Sequence, residues 1–546
     1  VVGAGGSDFV SFFGATGSVN VDLVAERAFS DGFGGVDTLV GVEDVSGGDL
    51  DDTLLGTDDD NFLEGLDGAD LIDGRGGSDS ISFEFQGSRT PTEGVVIDLD
   101  AESGTDGFGN ADTLISIENV RGSALADVIL AGSFDANDIS GFAGNDTLDG
   151  GAGLNDELRY DREDGALGVN VNLATGVASD SFGDTDQVSG FERVRGTDMD
   201  DTLTGGLAEE TFVPLGGNDL IVGGDGDGND RVGYFSDGDA IRPLDVDLAT
   251  GIALDPFGGT DTLVGIEWVF GSDQNDTLRG DALDNALEGG PGNDLIDGRG
   301  GFDIAFYGFN GSGGVEADLA AGAATDDAGG SDTLISIEGV RASSQNDTLF
   351  GDGDENFFIG GGGNDFIDGR LGEDFVSYEF DNIVPGVDPA TETGVIVNLV
   401  GQTAVDGFGG SDTLISVENV IGGGFGDDLS GDGAANVLRG LGGDDIIRGG
   451  AGDDTLDGGA GADLLIANDD DPLDGPASDI LIGGAGGDEF IADRVDSLRY
   501  DLEGGGGGIV ADLRLSGNLI ITDTFGDEDT LRGDARIVGT DEGDLL

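Results

Sequence analysis

The chain has 546 residues, of which 109 are Gly and 114 are Asp or Glu, against 21 basic residues and a net charge of −93. Every base is Arg and there is no Cys or His, which excludes disulfide frameworks, zinc or haem sites and any nucleophile built on Cys or His. So acidic a surface repels phosphate backbones and anionic headgroups, so no nucleic-acid partner is expected; no apolar run is long enough for direct membrane insertion.

The chain opens with G-A-G-G-S-D-F-V-S from Gly3, which reads as the end of a preceding repeat over residues 1–18. A D-T-L triplet then recurs at Asp37, Asp112, Asp186 (as D-Q-V), Asp261, Asp332, Asp412 and Asp529. These anchors define repeat units over 19–94, 95–168, 169–243, 244–314, 315–394 and 395–508, the last with extra nonapeptide turns. A truncated seventh unit over 509–546 ends in V-G-T-D-E-G-D-L-L, from Val538 to Leu546. Such self-similarity is the mark of a repeat architecture, here read as a segment of a longer array.

The first half of each unit begins with an alternating apolar segment, as a half-buried strand should: Val19/Val21/Leu23, Val95/Ile97/Leu99, Val169/Val171/Leu173, Leu244/Val246/Leu248, Val315/Ala317/Leu319 and Val395/Val397/Leu399. A glycine-rich turn follows (D-G-F-G-G at Asp31 and Asp406, D-P-F-G-G at Asp255), then the D-T-L triplet and an apolar-Glu-x-Val stretch. The Glu of that stretch (Glu43, Glu118, Glu192, Glu267, Glu338, Glu418) reads as an outward strand position, solvated or paired with Arg121, Arg195 or Arg341. The glycine-flanked Phe33, Phe108, Phe257, Phe408 and Phe525 read as plugs of a core or seam, with stacking on a glycan as the alternative.

The second half steps by nine. In the first unit Gly47, Gly56, Gly65 and Gly74 are each followed five residues later by Asp52, Asn61, Asp70 and Asp79, and then by Leu54, Leu63, Ile72 and Ile81. In one step, G-G-P-G-N-D-L-I-D from Gly289 to Asp297, six residues turn the chain and three form a short strand with one inward side chain. Such turns point carbonyls into a concavity to which the Asp adds a carboxylate. Stacked turns then make an oxygen-only cage, which suits Ca2+ with six to eight oxygens, whereas Mg2+ demands a tighter octahedron and soft metals lack S or N ligands.

The predicted ligand carboxylates are Asp52, Asp70 and Asp79; Asp127 and Asp146; Asp201, Asp219 and Asp230; Asp276, Asp294 and Asp303; Asp347, Asp365 and Asp374; and Asp427, Asp445, Asp454, Asp463 and Asp488. Asn61, Asn285, Asn356 and Asn436 stand at the second step of their runs, where weaker binding or a neutral stacking ladder is expected. Filling with ~20–30 ions would offset much of the negative charge, and without them facing carboxylates should repel each other out of the fold.

The steps at Gly141, Gly289, Gly360 and Gly449 resemble the repeats-in-toxin (RTX, haemolysin-type) calcium-binding nonapeptide. The resemblance implies an all-β fold, a parallel β-roll or β-solenoid of tandem calcium-binding repeats, many Ca2+ ions per chain and export by type I secretion. It covers about half of each unit. The implied function is that of a secreted structural protein, with repeats that fold on Ca2+ and self-associate head-to-tail or laterally into an extracellular filament, surface layer or adhesin stalk. Glycan or cell-surface contact is a further possible partnership. The alternative is the secretion and stability module of a larger exported protease, lipase or polysaccharide-modifying enzyme. No H-E-x-x-H or G-x-S-x-G motif is present, and carboxylate pairs in so acidic a chain carry no specificity for glycosidase or lyase chemistry, so the chain is read as a non-enzyme.

Overall fold

A nonapeptide made of a six-residue turn and a three-residue strand reverses the chain at every step, so successive strands must fall alternately on two sheets. The computed structural model has this form. It describes the chain except residues 86–88, 134–135, 225, 227–228, 236–241, 309–312, 380–392, 469–477, 493–495, 503–509, 512–518, 526, 534–535 and 540–546. The expected boundary at 508/509 and the last seven residues of the truncated seventh unit lie outside the described residues. There are two compact units, Val1–Phe270 and Gly271–Leu546. Among the described residues all regular structure is β-strand apart from one 3-10 turn, Tyr500–Leu502. The protein is an all-β parallel β-roll.

Hydrogen-bonded neighbours belong to every second nonapeptide. Thr53–Leu55 pairs in parallel with Leu71–Asp73, and Phe62–Glu64 with Ser80–Ser82. The middle residue of each three-residue strand points inward, so the centres stack into apolar ladders. In the first unit one sheet aligns Val45, Leu63, Ile81, Val120, Ile139, Leu158, Val194, Phe212, Val232 and Val269, none more than 1% exposed. In the second unit the corresponding ladder runs Leu287, Ala305, Val340, Phe358, Val376, Val420, Leu438, Leu456, Leu481 and Leu498, all fully buried. At about 1.5–3 kcal/mol per buried aliphatic or aromatic side chain, these ladders are the main apolar contribution to folding.

The half-unit between nonapeptide runs is a three-stranded antiparallel meander inserted into the other sheet. Val96–Asp98 pairs with Ser103–Thr105, which pairs with Ala111–Ile115. The outer strands then join the coil on either side in parallel, Ala111–Ile115 to Leu71–Asp73 and Val96–Asp98 to Val128–Leu130. The same insert recurs at Asn170–Asn172/Val177–Ser179/Thr185–Ser189 and Asp245–Asp247/Ile252–Leu254/Thr260–Val264 in the first unit. In the second it recurs at Glu316–Asp318/Ala323–Thr325/Ser331–Ile335 and Ile396–Asn398/Thr403–Val405/Ser411–Ile415. The alternating segment supplies the first strand and D-T-L the third. The middle strand has no apolar alternation to announce it, as in S-G-T over Ser103–Thr105, where Gly104 is the inward residue.

Candidate metal centre

All nineteen predicted carboxylates are buried, none more than 4% exposed. They stand in columns along the edges of the coil. The backbone N–H of each Asp donates to Oδ1 of the corresponding Asp one coil on: Asp52 to Asp70 at 2.8 Å, Asp276 to Asp294 at 2.7 Å, Asp347 to Asp365 at 2.8 Å, Asp427 to Asp445 at 2.7 Å and Asp445 to Asp463 at 2.9 Å.

Where a meander interrupts the coil, two other residues continue these columns. The D-T-L Asp accepts on one edge: Asp112 from Asp70, Asp186 from Asp146, Asp261 from Asp219, Asp332 from Asp294, Asp412 from Asp365 and Asp529 from Asp488, at 2.9–3.0 Å. On the other edge the acceptor is Oε2 of the apolar-Glu-x-Val glutamate: Glu43, Glu118, Glu192, Glu267, Glu338 and Glu418 take the N–H of Asp8, Asp79, Asp156, Asp230, Asp303 and Asp374. The glutamates are therefore turned onto the coil as caps, rather than outward to solvent or arginine as the strand pattern alone suggested. Each replaces the Asp that the inserted meander displaces.

The turns themselves are of two kinds. In the first turn of each run Oδ2 accepts the N–H of the residue four positions back: Asp52 from Gly48, Asp127 from Ser123, Asp201 from Thr197, Asp276 from Ser272, Asp347 from Ser343 and Asp427 from Gly423, at 2.6–2.9 Å. Oδ1 of Asp52, Asp127, Asp201, Asp347 and Asp427 is taken by the N–H of Val19, Val95, Val169, Val315 and Val395. The Asn turns close in the same way, with Asn61, Asn285, Asn356 and Asn436 accepting from Thr57, Asp281, Asp352 and Asp432. In three of them Arg75, Arg299 and Arg370 donate to the carbonyls of Gly56, Gly280 and Gly351, so a guanidinium supplies positive charge at the turn.

Eleven further turns are open, while Asp70 and Asp230 keep no buried unpartnered Oδ2 and fall in neither group. The residue four positions before the Asp has a left-handed backbone, which turns its N–H away from the carboxylate: Arg75, Phe142, Leu215, Gly290, Arg299, Gly361, Arg370, Leu441, Gly450, Gly459 and Gly484 have φ between 62° and 95°. For each, Oδ2 of the Asp it serves is buried with no hydrogen-bond partner: Asp79, Asp146, Asp219, Asp294, Asp303, Asp365, Asp374, Asp445, Asp454, Asp463 and Asp488. A buried unpaired carboxylate oxygen is a costly arrangement unless a cation or proton completes it. The first glycine of the step provides the room. A Cβ on Gly440, Gly449 or Gly458 would lie 2.0–2.4 Å from Oδ2 of Asp445, Asp454 or Asp463 and 2.7–2.8 Å from a carbonyl of the next coil. Among the described residues no three carboxylates gather into a metal cluster, so a cation here takes carbonyl oxygens alongside Asp, as a hard cation accepts.

Burial pushes these carboxyls up. Asp219 and Asp365 rise to about 9, and Asp146, Asp294 and Asp445 to about 8, first by desolvation and then by neighbouring carboxylates. Asp79, Asp303, Asp374 and Asp463 rise to about 7, and Asp454 and Asp488 to about 6, the same as Asp52, Asp127, Asp201, Asp347 and Asp427, whose oxygens are met by N–H donors. The two kinds of turn were not distinguished in the sequence reading, yet a signal was present. Ser, Thr or Asp commonly follows the first glycine in closed turns, whereas Gly, Leu or Arg does so in open ones. The D-T-L aspartates, Asp479 and Asp496 were also missed. Asp479 accepts from Asp454 across 25 residues rather than eighteen, which hides it from a period-nine count.

This stack of Asp-gated turns defines a cation-binding β-roll. The family model for the RTX calcium-binding nonapeptide repeat (4 copies) matches residues 46–81, 123–156, 270–305, 341–376 and 430–465, and the chain carries RTX calcium-binding repeats over those segments. No curated protein matches the chain. Among solved structures it is similar to the extracellular lipase LipA from Serratia marcescens, at 16% identity and a TM-score of 0.15, over 48% of this chain. The match spans 37% of the lipase.

Proposed function

We propose that the chain is the calcium-folded structural array of an exported protein, binding Ca2+ in its open turns and assembling outside the cell into a filament, surface layer or stalk. The observation that carries calcium loading is the set of eleven predicted aspartates with a buried, unpartnered Oδ2, ten of them beside a glycine cradle and Asp219 beside Pro214. Sites of the extracellular class bind at about 10⁻⁴–10⁻³ M, so they are empty in cytosol and fill on export. No helix of the described residues is long and apolar enough to cross a membrane.

Lateral self-association is supported by the outer face of the meanders, which carries exposed aliphatic side chains at Val96, Val177, Leu254, Val264, Ile335 and Ile396. Exposed β-branched and aliphatic side chains on a strand face are suited to pairing with a second copy. In millimolar calcium, sedimentation and electron microscopy should show ordered polymers that dissolve in chelator. Leu254→Asp with Val264→Asp should lower the polymer fraction at least tenfold while leaving the circular dichroism of the calcium form unchanged. A monodisperse monomer in calcium at high concentration would contradict the assembly reading.

A further inference from the structure

The sequence contains five tyrosines, Tyr160, Tyr234, Tyr307, Tyr378 and Tyr500, and all five occupy one structural position. Each follows by four residues the last Asp of its run (Asp156, Asp230, Asp303, Asp374, Asp496) and is no more than 5% exposed. In three of the five the phenol bonds the D-T-L Asp: Tyr234 donates to Oδ2 of Asp261 at 2.9 Å, Tyr378 to Asp412 at 3.1 Å and Tyr500 to Asp529 at 3.0 Å, while the Tyr160 and Tyr307 hydroxyls have no hydrogen-bond partner. The same junction holds an open-turn Asp and the Asp that starts the glycine-rich turn of the meander.

These groups converge. A Cβ on Gly259, Gly330 or Gly410 would lie 2.3–2.4 Å from Oδ2 of the meander residue Asp255, Asp326 or Asp406. The same point is 1.5–1.6 Å from the carbonyl oxygen of Gly217, Gly292 or Gly363, two residues before Asp219, Asp294 or Asp365. Oδ1 of the meander Asp is already used, Asp406 accepting from Phe408 and Gly410 at 2.8 and 2.7 Å. What remains unpartnered, on residues at most 3% exposed, is Oδ2 of the open-turn and meander aspartates Asp146 and Asp180, Asp219 and Asp255, and Asp365 and Asp406; at the Tyr307 junction it is Oδ2 of the open-turn Asp294 and the D-T-L Asp332, Asp326 Oδ2 there accepting from the Gly292 N–H at 3.4 Å.

Two junctions carry phenylalanine in place of tyrosine, at Phe12 and Phe83, and the second is built differently. Phe83 stands at the equivalent position, and the corresponding carboxylates are Asp70, Asp106 and Asp112. There the Asn110 amide donates to Oδ2 of Asp106 at 2.8 Å and to Oδ1 of Asp67 at 2.9 Å, while Arg89 pairs with Asp67. Neither Asp70, Asp106 nor Asp112 keeps a buried oxygen without a partner. The Asn110 amide thus satisfies, in this copy, the meander Oδ2 that stands unmet at Asp180, Asp255 and Asp406.

We infer that each tyrosine-bearing junction is a further binding site for a calcium-class divalent cation, at which a meander Asp joins an open-turn Asp shared with the coil and clamps the meander to it. Its ligands are the meander Asp, the open-turn Asp and the glycine carbonyl between them. Tyr234, Tyr378 and Tyr500 are positioning residues that hold the D-T-L Asp beside the site. The inference rests on the reading that the open turns take calcium, and it adds one site class that the nonapeptide pattern does not contain.

The test counts ions and uses the tyrosines as local reporters. In a Trp268→Phe background, which removes the single indole, the full chain is loaded with Ca2+ and bound calcium is measured after desalting. In a parallel sample Tb3+ replaces Ca2+ and its emission is excited through tyrosine. The combined variant D180N/D255N/D326N/D406N/D523N keeps an Oδ1 acceptor in every turn, and should bind about five fewer ions and lose most of the sensitised emission. D406N alone should lose about one-fifth of that emission, which gives a reading should the combined variant not fold. D106N, at the Phe83 junction, should change neither quantity. Unchanged ion count and emission in D406N and the combined variant would overturn the junction site while leaving calcium loading of the turns intact. A parent chain that binds no calcium at all would instead sink the reading on which it rests.

Discussion

Removal of calcium at pH 7.5 should abolish the β-sheet signal, and lowering the pH to about 5 in the same chelator should restore much of it. Carboxyls such as Asp219, Asp294, Asp365 and Asp445 have pKa values of about 8–9 in the cation-free fold, against an ordinary 3.8. Below pH 3.8 folded and unfolded chains are both protonated at these sites, and their contribution to stability is fully present. As pH rises the unfolded chain releases its protons first, so stability falls continuously until the folded-state value is passed near pH 8–9. Each such group costs on the order of several kcal/mol at neutral pH, and a domain has only about 5–15 kcal/mol to lose. At pH 5 most of these carboxyls hold protons while exposed ones remain charged, so a proton substitutes for the cation without driving the chain to its isoelectric point near 4.1. Far-ultraviolet circular dichroism across this pH range in excess chelator checks the expectation. A strand signal indifferent to both chelator and pH would refute it.

The second large effect concerns the glycine that opens each step. Gly458→Ala places a methyl carbon 2.3 Å from Oδ2 of Asp463 and 2.7 Å from the carbonyl of Gly483, where the oxygens of two coils face each other. Overpacking of this kind costs about 1–3 kcal/mol, and here it also displaces the ligand oxygens. The calcium midpoint of folding should therefore rise about tenfold or more, a tenfold change being 1.4 kcal/mol. Gly433→Ala is the matched control, since a Cβ there meets nothing within 4 Å. Equal midpoints for the two variants would show that the cradle does not act in binding.

Much of the coil was legible in the sequence because its physics is local. One apolar residue per nine, flanked by glycine and aspartate, dictates a turn and a three-residue strand, and Leu54, Ile72 and Leu287 lie at the buried centres the register predicts. The meander was only half legible. Its outer strands carry apolar alternation, but the middle one pairs through backbone alone, and a buried Gly104 leaves no pattern to read. The roles of Glu118 and Glu338 were hidden for another reason: their partner is a backbone N–H some 35–39 residues away, and nothing in the Ile-Glu-x-Val stretch records that distance. The division of the turns into open and closed depends on a left-handed backbone at Leu215, Arg299 and Leu441, residues that propensity alone would not place there.

The structure also changes the meaning of the acidity. Closed turns and Arg-filled Asn turns are neutralised by the chain's own donors. The open turns are not. Acid is therefore retained in the interior where an external cation can complete the fold. The most direct test is the anomalous difference map of crystals grown in calcium, at a wavelength where calcium scatters anomalously. Peaks should lie beside Oδ2 of Asp219, Asp294, Asp365, Asp445 and Asp463, and not beside Oδ2 of Asp52, Asp127 or Asp347. Featureless density at the first group, with those carboxyls hydrogen-bonded only to water or to one another, would contradict the account.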